Sequence, residues 1–224
     1  MKKIAVLLTI LILVSTSVLA DDEGIKYSAG FKIWNSFLSE PTDQTGVTNN
    51  TTPDSTAGNL SFTARKSSYF LTASALLPTT YVYGSSYIRR HDQDIVAGYR
   101  LTDAISVLVG DKTVKRTANG SNTDENVNAK YLGTSAATYF MDHQFLYGTL
   151  LYGFKTGISS DYMANQNKFG FYSYELGYGY AMDKTTQLTL GYRYQSIYSN
   201  YTPTGAKVNN NVYGLIMGVN VNFN

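Results

Sequence analysis

Residues 213–223 read YGLIMGVNVNF, and the side chains of this stretch alternate between two kinds. One face carries Tyr213, Leu215, Met217, Val219, Val221 and Phe223, and the other carries Gly214, Ile216, Gly218, Asn220 and Asn222. A period of two is the pattern of a β-strand whose two faces meet different surroundings. The stretch therefore predicts an amphipathic strand with an apolar, aromatic face opposite a face rich in glycine and amides.

The same alternation precedes this strand and recurs along the chain. Residues 187–195 place Leu188, Leu190, Tyr192 and Tyr194 on one face, and residues 171–180 place Leu176 and tyrosines opposite Glu175 and two glycines. Residues 25–33, 69–77 and 95–101 alternate in the same way, whereas the faces of 81–88, 127–140 and 145–154 stay open. The chain is therefore predicted to be all-β, either a sandwich with the tyrosines inside or a barrel with the tyrosines in lipid.

The lengths of the connectors distinguish these two folds. Long polar connectors are predicted at residues 39–59, 89–94, 116–126, 157–167 and 200–210, and tight ones at 77–80, 101–104, 141–144 and 182–185. Short turns at one end and longer loops at the other are typical of transmembrane β-barrels, whose strands need ~9–11 residues to cross the bilayer. We count ten strands and predict a transmembrane antiparallel up-and-down β-barrel, with an eight-stranded barrel as the alternative.

The composition and the N-terminal segment indicate where in the cell the protein is located. The chain has 224 residues, no cysteine, 20 tyrosines and 15% charged residues, against about a quarter charged in ordinary soluble domains. Lys2 and Lys3 precede an apolar run at residues 4–14, so residues 1–20 are predicted to be a cleaved signal peptide and residues 21–224 the barrel domain. Without those two lysines the acidic and basic residues are equal in number, and nucleic-acid binding is not expected.

A sequence pattern that occurs twice gives a family resemblance. Residues 182–194 combine a turn at Asp183, alternation and the sequence GYRY, and residues 98–103 repeat it in part as GYRLTD. The last alternating strand ends at Phe223, with Asn224 after it. In these features the chain resembles the small outer-membrane β-barrel proteins of Gram-negative bacteria. The resemblance implies insertion by the barrel-insertion machinery into the bacterial outer membrane, and we expect a monomer in contact with outer-membrane lipids and lipopolysaccharide.

Which face of each strand contacts lipid decides which residues are predicted to line the lumen. With the tyrosine and leucine face in lipid, the charged residues expected in the lumen are Lys26, Lys32, Arg100, Glu175 and Arg193. Glu175 and Arg193 lie on strands joined by the Asp183 turn, so cross-strand pairing predicts a luminal ion pair. The lipid-facing and girdle residues are predicted to be Tyr178, Leu188, Leu190, Tyr192, Tyr213, Leu215, Met217, Val219, Val221 and Phe223. Side chains nearly fill a barrel of this size, so any conduit is expected to be narrow.

Candidate catalytic and metal-binding groups are few. The chain has two histidines: His143 lies in a predicted turn and His91 in a predicted outer loop. A general base must reach the proton that it removes, and on a strand His91 and Asp92 would point to opposite faces. Asp124 and Glu125 are the weak candidates for a cation. We expect no cofactor, no metal and no enzyme activity, and predict a structural or surface-interacting role through the extracellular loops. A narrow porin-like channel for small solutes is the alternative, and an outer-membrane hydrolase is the least favoured.

Overall fold

The computed structural model describes residues 24–41, 49–52, 54–83, 85–118, 125–159, 166–201 and 207–223, and the predicted signal peptide lies outside them. The strands are β1 (Lys26–Pro41), β2 (Asn49–Thr51), β3 (Ser55–Lys66), β4 (Tyr69–Tyr83), β5 (Ser86–Arg100), β6 (Ile105–Ala118), β7 (Glu125–Met141), β8 (Gln144–Ser159), β9 (Gln166–Ala181), β10 (Thr186–Tyr201) and β11 (Lys207–Phe223). Within the described ranges, no helix has the length and apolar character to span a membrane.

The ten long strands form a closed antiparallel barrel. Each pairs with the next along the chain, and β11 pairs with β1. The short strand β2 pairs with β1 beyond the point where β3 begins, so that β2 and β3 occupy one position in the barrel. Closure leaves no open sheet edge. At an open edge in lipid, the backbone N–H and C=O groups would have no hydrogen-bond partners, because lipid chains offer none. The prediction of an all-β, ten-stranded barrel is confirmed.

The strand registers determine the tilt of the strands. A path along paired residues starts at Tyr27, passes through every neighbouring strand and returns to β1 at Ser39, twelve residues further along the chain. With about 4.8 Å between strands and about 3.3 Å per residue, this displacement corresponds to a tilt of about 40°. This tilt lies within the range that closed barrels adopt.

The four connections at one end of the barrel are all tight, and we call this end the turn end; the opposite end is the loop end. Two of these turns are closed by a side-chain acceptor. Asp183 Oδ1 accepts hydrogen bonds from the backbone N–H groups of Thr185 and Thr186, both at 2.7 Å, and Thr102 Oγ1 accepts one from Ile105 N–H at 3.0 Å. Hydrogen bonds from Thr185 and Thr186 lower the pKa of Asp183. Short polar side chains that bind the backbone two or three residues ahead favour turns, as the sequence indicates here.

Two predicted connectors are wrong. Residues 77–80 are not a tight turn but lie within β4, and residues 89–94 are not a loop but lie within β5. A β-bulge between Leu76 and Thr79 shifts the register of β4 against β5, and Pro78 lies in this bulge, where proline is tolerated inside a strand. The polar residues that suggested a loop lie on both faces of β5, and each face carries charged side chains.

The actual turns of this region lie elsewhere. β3 and β4 are joined at Ser67 and Ser68, and Ser67 has a φ of 52°. At the loop end only residues 84–85 separate β4 from β5. The first predicted loop, residues 39–59, is shorter than expected because β1 continues to Pro41 and β3 begins at Ser55. The predicted number of strands was right because the two false connectors, 77–80 and 89–94, replace the two actual ones, 67–68 and 84–85.

Candidate functional site

The outward face of the barrel carries an apolar band. Its exposed members include Tyr178, Leu188, Leu190, Tyr192, Leu215, Met217 and Phe223 of the predicted lipid-facing set. The other three, Tyr213, Val219 and Val221, are partly buried by their neighbours on the same face. Leu190 pairs with Tyr178 on β9 and Met217 on β11, so apolar side chains continue across neighbouring strands.

Stacked aromatic rings border this band on β9, β10, β11 and β1. The ring of Tyr194 lies 5.2 Å from that of Tyr174 and 6.2 Å from that of Tyr213, with interplanar angles of 8° and 16°. Tyr213 stacks on Phe37 at 5.8 Å. We call Phe37, Tyr174, Tyr194 and Tyr213 the aromatic ribbon. Such rings suit a membrane interface, where an amphipathic ring contacts lipid and headgroups together.

Inside the barrel, three charged side chains meet at the middle of the bore. Glu175 on β9 pairs in register with Arg193 on β10 and accepts a hydrogen bond from Arg193 Nε at 2.8 Å. Lys32 on β1 donates to the other carboxylate oxygen of Glu175 at 2.6 Å. We call Lys32, Glu175 and Arg193 the luminal triad. Lys32 reaches Glu175 across β11 and β10, and a Cβ atom at Gly218 of β11 would lie 2.6 Å from Lys32 Cγ, so the absence of a side chain at Gly218 leaves it room.

Aromatic rings complete the surroundings of the triad. The guanidinium of Arg193 lies 5.4 Å from the ring centre of Trp34, and the ammonium of Lys32 lies 5.6 Å from that of Tyr147. The side chain of Glu175 is 8% exposed. A buried carboxylate needs such partners because its transfer from water is costly. The triad therefore holds β1, β9 and β10 together across the bore.

The other two predicted luminal residues lie apart from the triad. Arg100 is near the turn end, where its guanidinium is 3.8 Å from the carboxylate of Asp103, which is fully exposed. Lys26 begins β1 at the same end and is exposed. The sequence thus predicted five luminal charges, and the structure brings three of them together.

A second charged network lies in the lumen against β5, β6 and β7. Arg90 Nε and Nη2 donate to the two carboxylate oxygens of Asp92 at 2.8 and 2.7 Å, and Lys112 Nζ lies 3.3 Å from Asp92. Lys112 also lies 3.6 Å from Asp94, which accepts a hydrogen bond from the Tyr131 hydroxyl at 2.6 Å. Residues two apart on a strand share a face, so Arg90, Asp92 and Asp94 all point inward. Sequence reasoning missed this network because it assigned these residues to a loop.

Apolar side chains fill the bore on the loop-end side of the triad. One cluster comprises Trp34, Leu38, Ala57, Leu76, Tyr81, Ile88, Val212 and Ile216. A second comprises Val114, Val127, Ala129, Tyr131, Phe171 and Ile197. Trp34 is 1% exposed, and Tyr81 and Tyr131 are fully buried. At this level large apolar side chains fill the interior, in contrast to the glycine- and amide-rich face that the sequence of the last strands predicted.

Aromatic rings in the bore lie over glycines on the next strand. Four such pairs are direct register partners that face the lumen: Phe70 with Gly98, Tyr131 with Gly110, Tyr147 with Gly177, and Phe145 with Gly179. A Cβ atom at Gly98 would lie 2.1 Å from the Phe70 ring, so a larger residue there would displace the ring. Large and small residues thus alternate across neighbouring strands and fill the lumen.

The candidate catalytic and metal-binding residues do not come together. His91 faces outward from β5, whereas Asp92 faces the lumen, and His143 lies in a turn with its ring 6.1 Å from that of Tyr180. Over the described ranges, no group of three His, Asp or Glu side chains could hold a metal ion. Glu125 binds Arg116 on the neighbouring strand, and Asp124 lies outside the described residues.

Comparison with known proteins shows the class of fold. No family model matches the chain, and no curated protein matches it. The barrel is similar to the crystal structure of the outer-membrane protease OmpT from Escherichia coli, with 9% identity, 93% of this chain and 100% of that chain covered, and a TM-score of 0.58. It also matches the translocator domain of the autotransporter NalP from Neisseria meningitidis (11% identity, 99% and 96% covered, TM-score 0.47) and Neisserial surface protein A (15%, 90% and 100%, 0.41).

The chain therefore has the fold of the outer-membrane β-barrel proteins, and the resemblance predicted from the sequence is confirmed at the level of this class. Together with the apolar band, this fold supports a place in the bacterial outer membrane.

Proposed function

We propose that this protein is an outer-membrane barrel with a closed bore that acts through its extracellular surface, in a structural or surface-interacting role. The observation that carries the proposal is the pair of apolar clusters, in which Trp34, Tyr81 and Tyr131 are at most 1% exposed. Side chains packed this tightly leave no continuous aqueous path at the level that they occupy. The function then resides in what the loop end presents to the outside.

The remaining parts of the proposal follow from the sequence and from the class of fold. Residues 1–20 direct secretion and are removed, and the barrel-insertion machinery places the mature chain in the outer membrane. There it is a monomer in contact with membrane lipids and lipopolysaccharide. The protein has no cofactor and performs no catalysis, which the outward direction of His91, away from Asp92, supports.

Electrical recording in planar bilayers tests the closed bore. The purified wild-type barrel is expected to give no large stable conductance step, whereas Trp34→Ala/Tyr81→Ala should give one, because it removes the two largest side chains of the first cluster. Tyr152→Ala/Tyr192→Ala removes two exposed rings from the outer face and serves as the matched control, with no conductance expected. A stable conductance step from the wild type, even a small one, would contradict the closed bore and favour the narrow channel instead.

A further inference from the structure

The lumen is accessible to water on the turn-end side of the luminal triad. Along the inward face of β1, Ser28 and Gly30 are partly exposed, whereas Trp34, Ser36 and Leu38 are buried. The same change occurs on the neighbouring strands, from Thr63 to Ala57 on β3, from Ser74 to Leu76 on β4 and from Asn220 to Ile216 on β11. The bore therefore contains a blind pocket that opens at the turn end, and we call it the turn-end pocket.

The turn-end pocket is deep enough to hold more than a single ion. Lys26 lies at its mouth, and Lys32 of the triad follows six residues later along β1 at its floor. At a tilt of about 40°, this separation corresponds to about 15 Å along the barrel axis. Short turns lie on the periplasmic side of outer-membrane barrels, so the pocket opens toward the periplasm.

Short polar residues form one side of the turn-end pocket. Between the mouth and Lys32, the inward residues of β11, β1 and β3 are serine, threonine, asparagine or glycine. At its border the hydroxyls of Thr63 and Thr72 share a hydrogen bond of 2.8 Å. The rings of Phe70 and Tyr147 lie against the wall, over glycines of β5 and β9. Hydroxyl and amide groups both donate and accept hydrogen bonds, so this side suits a ligand that carries hydroxyls.

Three cations lie around the mouth of the turn-end pocket. Lys26 and Arg65 are direct register partners on β1 and β3, and like charges in such positions repel each other. Among the described residues, no carboxylate forms an ion pair with either of them. The guanidinium of Arg65 lies 5.8 Å from the ring centre of Phe70. Arg100 on β5 has one weak contact, at 3.8 Å, with the fully exposed carboxylate of Asp103. The mouth is therefore positively charged.

The floor of the turn-end pocket is also positive. The luminal triad combines two cations with one carboxylate, and the side chains of Lys32 and Arg193 are 28% and 22% exposed, against 8% for Glu175. The second charged network has two cations and two carboxylates and so adds no net charge. A cleft lined by one sign of charge with apolar surroundings concentrates its field on an ion that enters it.

We propose that the turn-end pocket binds a short acidic oligosaccharide from the periplasm. Arg65 and Arg100 hold one acid group at the mouth, the net charge of the luminal triad attracts another at the floor, and the polar side binds the sugar hydroxyls. An arginine can hold a carboxylate or phosphate through two parallel hydrogen bonds, and an anion at the mouth relieves the repulsion between Lys26 and Arg65. This inference rests on the proposed closed bore, which makes the pocket blind, and goes beyond the role of the outer surface.

Isothermal titration of digalacturonate into the folded barrel in a detergent without sugar groups tests the mouth. Arg65→Gln/Arg100→Gln is expected to bind about 10- to 100-fold more weakly than the wild type, because hydrogen bonds to charged groups are lost. Lys66→Gln/Lys184→Gln makes the same change of net charge at the turn end but outside the pocket, and should bind as the wild type does. Arg65→Lys/Arg100→Lys keeps both charges and should bind with intermediate affinity.

A second pair of variants tests the pocket without changing any charge. Ser28→Phe places a ring inside the pocket and should abolish binding, because Ser28 faces the lumen between the mouth and the floor. Ala29→Phe places the same ring on the outward face of β1, beside Phe62 and Val221, and should bind as the wild type does. Heat-modifiable migration on a gel establishes that each variant is folded.

The choice of ligand separates sugar recognition from attraction of any anion. Galabiose has the same linkage as digalacturonate without its carboxylates, and adipate has two carboxylates without hydroxyls; both should bind much more weakly. Equal binding of either ligand, equal binding by Arg65→Gln/Arg100→Gln, or no binding by the wild type would overturn the site. Binding that requires Asp22→Asn/Glu23→Gln would assign the mouth to the chain's own acidic segment and would also overturn it. Conductance of the wild type tests the closed bore separately, so the two failures are distinguishable.

Discussion

Replacing Glu175 with glutamine is expected to lower the free energy of unfolding by about 3–5 kcal/mol, because Lys32 and Arg193 then remain inside the barrel without their carboxylate. Both cations bind Glu175, whose side chain is 8% exposed. Urea titration of the barrel in lipid vesicles measures the effect. The chain has one tryptophan, Trp34, and its ring lies 5.4 Å from the Arg193 guanidinium, so its fluorescence reports directly on this region.

Two comparisons separate the loss of a buried partner from a general effect of charge. Asp103→Asn removes the fully exposed carboxylate near Arg100 and should leave the free energy of unfolding nearly unchanged. Lys32→Met/Glu175→Leu/Arg193→Met removes all three charges together, and its loss should be smaller than that of Glu175→Gln alone. If Glu175→Gln and Asp103→Asn had equal effects, the luminal triad would have no special part in stability.

Leu190→Arg is expected to reduce the stability of the inserted barrel by about 2–4 kcal/mol, the cost of a cation on the lipid face near the middle of the bilayer. Leu190 is 50% exposed and pairs with Tyr178 and Met217, which are also exposed. The folded fraction after refolding into vesicles, read from heat-modifiable migration, measures the loss. Leu190→Phe changes the size of the side chain but stays apolar, and should fold as the wild type does. Equal yields for Leu190→Arg and wild type would mean that this face does not contact lipid.

The sequence was most informative where alternation is uninterrupted. Residues 171–180 of β9, 187–195 of β10 and 213–223 of β11 alternate without interruption, and the Asp183 turn between β9 and β10 was placed correctly. β4 misled the interpretation because the bulge between Leu76 and Thr79 changes the register of the strand halfway along. A bulge adds one residue, so that the periodic pattern appears to end where the strand in fact continues.

The candidate site was only partly predictable for a similar reason. Glu175 and Arg193 belong to one hairpin, so their pairing follows from a single turn. Lys32 joins them through the pairing of β1 with β11, which depends on the displacement around the whole barrel and has no local signal in the sequence. The four pairs of aromatic residue and glycine in the lumen are a signal that the alternation argument did not use, and they would have indicated both register and interior packing.

The pairing of β1 with β11 also affects how the chain reaches its native state. Tyr27 pairs with Phe223, so the last seam of the barrel joins segments from opposite ends of the polypeptide. Contacts between residues so distant in sequence form slowly, because the intervening chain must be ordered first. Until β11 pairs with it, β1 has an unpaired edge, and such an edge is prone to pair with other chains and aggregate.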